Sequence, residues 1–181
     1  MCALRRAPAE QIPSSTLGNL SGSFDWIKLL AQVNIVAHLA GRAHVMKETS
    51  SDPLQVYRKV NTVGSCRLAE QAVSVGARRF IFVSSIKVNG DSTTGRGPFQ
   101  ATDIAAPEDV YSISKWEAEL GLIDISQRTG MELVIVRPPL VYGPGARGNL
   151  ERLMRLIKLG VPLPFSTISN RRSLNQPGQP V

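Results

Sequence analysis

Cysteine is scarce in this chain. Its 181 residues hold two, Cys2 and Cys66, which form no pair or cluster with metal-ligand spacing. Neither a disulfide framework nor a thiolate metal site is expected, and a reduced, cytoplasmic setting fits. Long apolar runs are missing too: none approaches the roughly 18–20 residues of a membrane span. Met1-Cys2-Ala3-Leu4-Arg5-Arg6 has no apolar stretch after its charges, which argues against a signal peptide. Internal repeats and low-complexity segments are absent. Acidic residues are outnumbered, 14 against 21 Lys and Arg, leaving a net charge of +7. A polyanionic partner is one explanation. An ordinary solvated surface, with a few arginines for phosphate groups, is the other. The basic residues fall in scattered pairs (Arg5-Arg6, Arg78-Arg79, Arg171-Arg172), with no stripe interleaved with aromatics. That pattern favours the second reading, so neither nucleic acid nor a membrane is expected as a partner.

What is present is enough apolar residue, 43%, to build one substantial core. Residues 15–20 admit a short strand, and 25–30 begin with a capping acid and read as a short helix. Residues 33–40 are nearly all apolar, the signature of a strand buried on both faces. From 53 to 75 apolar residues recur every three to five positions, a helical spacing closed by Gly76. Residues 80–83 predict a second buried strand and 133–136 a third. Between them 89–109 is a polar loop, and 111–129 a helix closed by Gly130. A further helix is expected over 149–159, closed by Gly160, and a poorly ordered tail from 166. Apolar strands alternating with helices define βαβ units and a parallel sheet. Such sheets bind ligands at the carboxyl ends of their strands.

The residues after each strand therefore carry the chemistry. His38-Leu39-Ala40-Gly41 follows the first; small residues there let a ligand approach the backbone, and His38 alone reads as structural. Ser84-Ser85 follows the second, where a hydroxyl can donate to a substrate oxygen or simply form a loop. The next helix opens Tyr111-Ser112-Ile113-Ser114-Lys115, and the i, i+4 spacing puts Tyr111 and Lys115 on one face. A free phenol ionises near pH 10, too high for a base at neutral pH, but a nearby ammonium favours the phenolate. Arg137-Pro138-Pro139-Leu140-Val141-Tyr142-Gly143-Pro144-Gly145 follows the third strand. Gly143, Gly145 and Gly148 spell G-x-G-x-x-G, but several residues beyond the strand and with no acid some 20 positions later. They do not make a dinucleotide fingerprint.

In their order, His38-Leu39-Ala40, Val83-Ser84-Ser85-Ile86-Lys87-Val88-Asn89-Gly90, Tyr111-x-x-x-Lys115 and the Arg137–Gly145 run resemble the NAD-dependent epimerase/dehydratase family. These are extended short-chain dehydrogenases/reductases acting on nucleotide sugars. The resemblance runs from about residue 3 to residue 174. It implies an α/β fold with a Rossmann-like parallel sheet and flanking helices, and NAD or NADP as cofactor. It further implies a UDP-linked sugar as substrate, a role in polysaccharide biosynthesis, and a homodimer as one assembly. Tyr111 would move the proton of a sugar hydroxyl, Lys115 would lower its pKa and bind the nicotinamide ribose, and Ser85 would hydrogen-bond the reacting oxygen. Leu39, Ala40, Asn61, Pro138 and Pro139 match cofactor contacts, as do Asn19 and Leu20 near the adenine. Lys87, Asn149 and Arg172 match substrate positions, the last two at the diphosphate.

The departures carry weight of their own. The family's G-x-x-G-x-x-G loop, which holds the pyrophosphate at a helix N-terminus, is not among these residues. Residues 1–6 resemble the family's second strand. The expectation is therefore an incomplete sheet lacking the first βα unit and most of the substrate domain, with impaired cofactor binding. Residues 1–148 would form a partial dinucleotide-binding domain, 149–174 the start of a substrate domain and 175–181 a tail. Where the dehydratases carry an Asp-Glu pair, this chain has Ile86-Lys87, so epimerisation or 4-keto reduction is expected and dehydration is not. The alternative is a non-catalytic remnant or binding module of the same fold.

Overall fold

Three apolar segments pair in chain order as a parallel ladder: β1 (Ile35–His38), β2 (Arg79–Val83) and β3 (Glu132–Val136). The register sets Val36 beside Phe80 and Leu133, and His38 beside Phe82 and Ile135. The computed structural model describes residues 24–43, 50–141, 158–159 and 174–175. The expected strand at 15–20, the helix at 149–159 except its last residues, and the glycine-rich stretch at 143–148 lie outside them. The chain divides into two compact units, Met1–Arg137 and Pro138–Val181. In the second, β4 (Leu140–Val141) and β5 (Leu174–Asn175) form a two-residue parallel pair.

Each crossover in the first unit is helical. The short α1 (Ile27–Leu30) precedes β1, and Asp25 accepts from the Ile27 amide at its start. The segment expected as one helix over 53–75 is helical throughout but changes its winding. It comprises α2 (Pro53–Tyr57), a π-helical stretch (Arg58–Val63) and α3 (Gly64–Ser74). Pro53 opens it and Asp52 caps it by accepting from the Gln55 amide, and Gly76 leaves it at φ 84°. The second crossover is α4 (Val110–Thr129), ended by Gly130 at φ 75°. Its buried residues include Ser112, Lys115, Ala118, Glu119, Leu122 and Ile125, which recur at helical spacing and define its inner face. Gly121 permits the α3–α4 approach: a Cβ there would meet the Cys66 sulfur at 2.5 Å.

The core gathers Val36, Phe80 and Phe82 from the sheet, Leu68, Ala69 and Ala72 from α3, and Ala118, Leu122 and Ile125 from α4. The strands were expected to be buried on both faces. One face is, whereas on the other Ile35, Val134 and Val136 are exposed. The described helices pack together over the first face, so alternate residues of each strand end on opposite sides of the coverage. None of these helices is long and apolar enough to cross a membrane.

Candidate active site at the carboxyl edge of the sheet

Ser84 and Ser85 end β2. The Ser84 amide donates to the Val136 carbonyl (2.7 Å), which ties the turn to β3. Ser85 has extended backbone and caps a single 3-10 turn (Ile86–Val88), accepting from the Lys87 amide at 3.3 Å. The expected serine ends β2 and the expected tyrosine opens α4, on either side of the 89–109 loop.

Tyr111 is placed by the first turn of α4. Asp109 accepts from the Ser112 amide (2.6 Å) and Ser112 accepts from the Asp109 amide (3.1 Å), a reciprocal capping box. The π-helical stretch holds the same turn from the side. Asn61 donates to Ser114 Oγ (2.9 Å), Thr62 donates to the Ser114 carbonyl (2.9 Å), and Ser114 donates back to the Tyr111 carbonyl (2.7 Å). The Tyr57 ring meets that of Tyr111 edge-on at 6.4 Å. π-Helical insertions concentrate at functional sites, and this one faces the helix that carries Tyr111.

Burial raises the Tyr111 pKa above its ordinary value. The nearby Ser85 side chain lowers it, the charge of Asp109 raises it, and that of Lys87 lowers it. Lys115 was expected to lower it from the i, i+4 spacing. It does share the face, but it turns inward: 3% exposed, with its ammonium 3.8 Å from the Phe82 ring centroid. Burial depresses its pKa to about 8, against a smaller opposing effect of Glu119. Lys87 itself is fixed between Asp109 (2.5 Å) and Asp91 (3.3 Å).

Around β1, Leu39 is 62% exposed at the strand's carboxyl end and Ala40 is buried. Asn61 is buried and closes the loop after them, accepting from the Arg42 amide (2.7 Å) and donating to its carbonyl (3.1 Å). A Cβ at Gly41 would meet its oxygen at 3.1 Å. His38 donates to or accepts from Ser65 (2.9 Å) and stacks on Phe82, so the structural reading of this histidine is supported. Burial, and then the charge of Lys115, lower its pKa to about 4. The set suits a nicotinamide cofactor. An exposed apolar side chain and a close backbone lie at the strand end. Among the described residues no carboxylate lies within ion-pairing distance of the Lys115 ammonium. The buried Ser84 hydroxyl has no hydrogen-bond partner there. Pro138 and Pro139 are half-buried in the second unit. Asn19, Leu20, Asn149 and Arg172 lie outside the described residues.

Sequence reasoning missed Asp109 and Tyr57. Asp109 had a signal, an acid one position before a helix with a serine three residues on. Tyr57 had none beyond its place in a helical period.

A parallel sheet crossed by helices, with Ser84-Ser85 after its second strand and Tyr111 and Lys115 on the next helix, is a Rossmann-type short-chain dehydrogenase/reductase fold. Residues 3–174 match the model of the NAD dependent epimerase/dehydratase family, and the chain belongs to that family. It is 48% identical over 159 residues to a UDP-glucose 4-epimerase of Vibrio cholerae, covering 87% of this chain and 48% of that protein. A structure of MoeE5 in complex with UDP-glucose and NAD superposes with a TM-score of 0.72 at 27% identity, over 88% of this chain and 53% of the other. A dTDP-glucose 4,6-dehydratase from Streptomyces venezuelae, DesIV, shares the fold at TM-score 0.74 and 23% identity, over 88% and 49%. The chain spans about half the length of these relatives.

Proposed function

We propose that this chain performs NAD(P)-dependent oxidation–reduction at C4 of a nucleotide-linked, UDP-type sugar, as an epimerase or a 4-keto reductase. The observation that carries the reading is the placement of Ser85 at the end of β2 and of Tyr111 in the capped first turn of α4, one helical turn from Lys115. Tyr111 exchanges a proton with the C4 oxygen while Ser85 hydrogen-bonds the same oxygen. The free chain keeps the phenol protonated, which suits donation to a carbonyl. Leu39, Ala40, Asn61 and Lys115 are the residues that would hold a bound nicotinamide cofactor, joined by Asn19, Leu20, Pro138 and Pro139. The cofactor supplies hydride acceptance and donation at C4. Asn149 and Arg172 would take the diphosphate, and Lys87 the sugar side. The Vibrio relative and the NAD complex of MoeE5 support NAD and a UDP-sugar. A cytoplasmic role in polysaccharide biosynthesis, and a homodimer, extend the same reading.

Lys87 replaces an acid where elimination needs one, and its ammonium is held by two carboxylates. This favours hydride chemistry without loss of water. The second reading, a binding module without turnover, draws on the absence of a G-x-x-G-x-x-G loop among the 181 residues. One experiment separates them. UDP-glucose and UDP-N-acetylglucosamine are incubated with the protein at millimolar NAD, to offset weak binding, and C4 epimers are followed by NMR. Conversion that disappears in Tyr111→Phe supports the enzyme. A 4-keto-6-deoxy product would overturn the C4 assignment, and no turnover of either sugar at that NAD concentration would favour the binding module.

A further inference from the structure

We infer that Arg137 is a positioning residue: by holding both carboxylate oxygens of Glu119, it keeps the ammonium of Lys115 unpaired and open to a ligand. That a ligand then uses the ammonium rests on the C4 reading; the pairing itself does not. Lys115 and Glu119 stand four residues apart on the inner face of α4, and both are buried. Helical neighbours at that spacing lie about 5–6 Å apart at Cβ, within reach of an ion pair. Opposite charges attract more strongly in a buried setting than in water, so a pair between Lys115 and Glu119 is the contact to expect. It is not the one formed. Arg137 donates from Nε to both Glu119 oxygens and from Nη2 to Oε2, whereas the Lys115 ammonium rests over the Phe82 ring.

Arg137 is itself held in place. Its Nη1 donates to the buried Asn89, whose amide donates in turn to the Gln100 carbonyl (3.2 Å), and its guanidinium lies 5.6 Å from the Trp116 ring centroid. A planar guanidinium matches both oxygens of one carboxylate, which a single ammonium does not. Glu119 is therefore drawn to the end of β3 and away from the preceding turn of its own helix. The charged or titratable groups around Lys115 are His38 from β1, Glu119 from α4 and, beyond Glu119, Arg137. Phe82 from β2 carries no charge, and the π-helical stretch meets this part of α4 through the uncharged Asn61 and Thr62. Burial lowers the Lys115 pKa and Glu119 offsets only part of that, as expected of a carboxylate already engaged elsewhere. Were Glu119 to close on Lys115, the ammonium would be held charged and its donors spent.

Arg137→Met releases Glu119, and adding Glu119→Gln removes the carboxylate it releases. The readout needs neither cofactor nor sugar. The chain has six lysines, so their 13Cε NMR signals can be titrated individually, with Lys115 assigned through Lys115→Arg. The expected result is a rise of the Lys115 midpoint by about one pH unit or more in Arg137→Met, and a return to the wild-type midpoint or below it in the double variant. An unmoved midpoint in Arg137→Met overturns the inference. So does an equal rise in both variants, because loosened packing alone would relieve burial whether or not the carboxylate is present. Circular dichroism at each pH confirms that the folded state is being titrated. If Arg137→Met does not fold, Arg137→Lys decides: it keeps a cation but gives up the fork, so a smaller rise is expected, and no rise overturns the inference. The expected shifts without sugar turnover would sink the C4 reading and leave this one standing. Turnover by the wild type with an unmoved Lys115 midpoint in the variants would do the reverse.

Discussion

Arg137 closes a bidentate ion pair on Glu119, with Nε 3.1 Å from Oε1 and Nη2 2.5 Å from Oε2, while Nη1 donates to Asn89 at 3.0 Å. Glu119 retains 1% of its side-chain exposure and Arg137 20%. The pair joins the end of β3 to the inner face of α4 and reaches the turn that carries Ser85.

Removing one charge leaves the other stranded. Glu119→Gln is expected to destabilise the fold by about 3 kcal/mol, the low end for a broken buried pair because Arg137 keeps some solvent. The double replacement Glu119→Met with Arg137→Met should recover most of that loss. Urea denaturation of Glu119→Met, Arg137→Met and the double variant gives the coupling.

Lys115 predicts a conflict between stability and function. Its folded pKa, about 8, lies below the unfolded value near 10.5. The unfolded chain therefore binds more protons between these values, and stability rises with pH through that window. Below it the full burial cost of the ammonium is present. Lys115→Met should stabilise the protein at pH 7 by about 2 kcal/mol, after loss of the contact with Phe82, and flatten the rise above pH 8. Thermal melts at pH 7 and 10 check both effects.

Much of this was readable in the sequence. The apolar runs located all three strands within a residue or two, and Gly76 and Gly130 marked two helix ends because only their φ values demand them. The partners of the charges were not readable. Lys87 and Asp109, or Arg137 and Glu119, are brought together by the crossover geometry, which no local period encodes. The same holds for the direction of Lys115: spacing sets the face, and packing against Phe82 sets where the ammonium goes. The π-helical stretch shifts backbone hydrogen bonding without altering composition. The exposure of Ile35, Val134 and Val136 was not legible because a strand's sequence records its own polarity and not what packs over it.

His38 predicts an acid limb. Its folded pKa of about 4 lies below the unfolded 6.5, so the unfolded chain takes up the extra proton. The stabilisation is complete above pH 6.5 and is lost as pH falls towards 4, by up to about 3 kcal/mol. The difference in unfolding free energy between the wild type and His38→Gln, measured from pH 7 to 4, should show this slope. A difference that does not change with pH would refute the assignment.

Gly121→Ala should cost about 1 kcal/mol, despite alanine's better helix propensity, because the new methyl collides with the Cys66 sulfur. Adding Cys66→Ala removes the obstacle and should return the midpoint of chemical unfolding to near or above that of Cys66→Ala alone.

The π-helical stretch works as a phase setting between two ends of one rod. A π-helix turns less per residue than the α-helix's about 100°, so rewinding Arg58–Val63 as α-helix without losing a residue would rotate α2 about α3 by roughly the advance of one residue. Tyr57 would then leave the ring of Tyr111, and Arg58 would leave Glu117, to which it now donates through Nε and Nη2. The orientation of the wall beside the tyrosine is thus encoded in the winding of this stretch, and a substitution that forces it into α-helix should displace that wall.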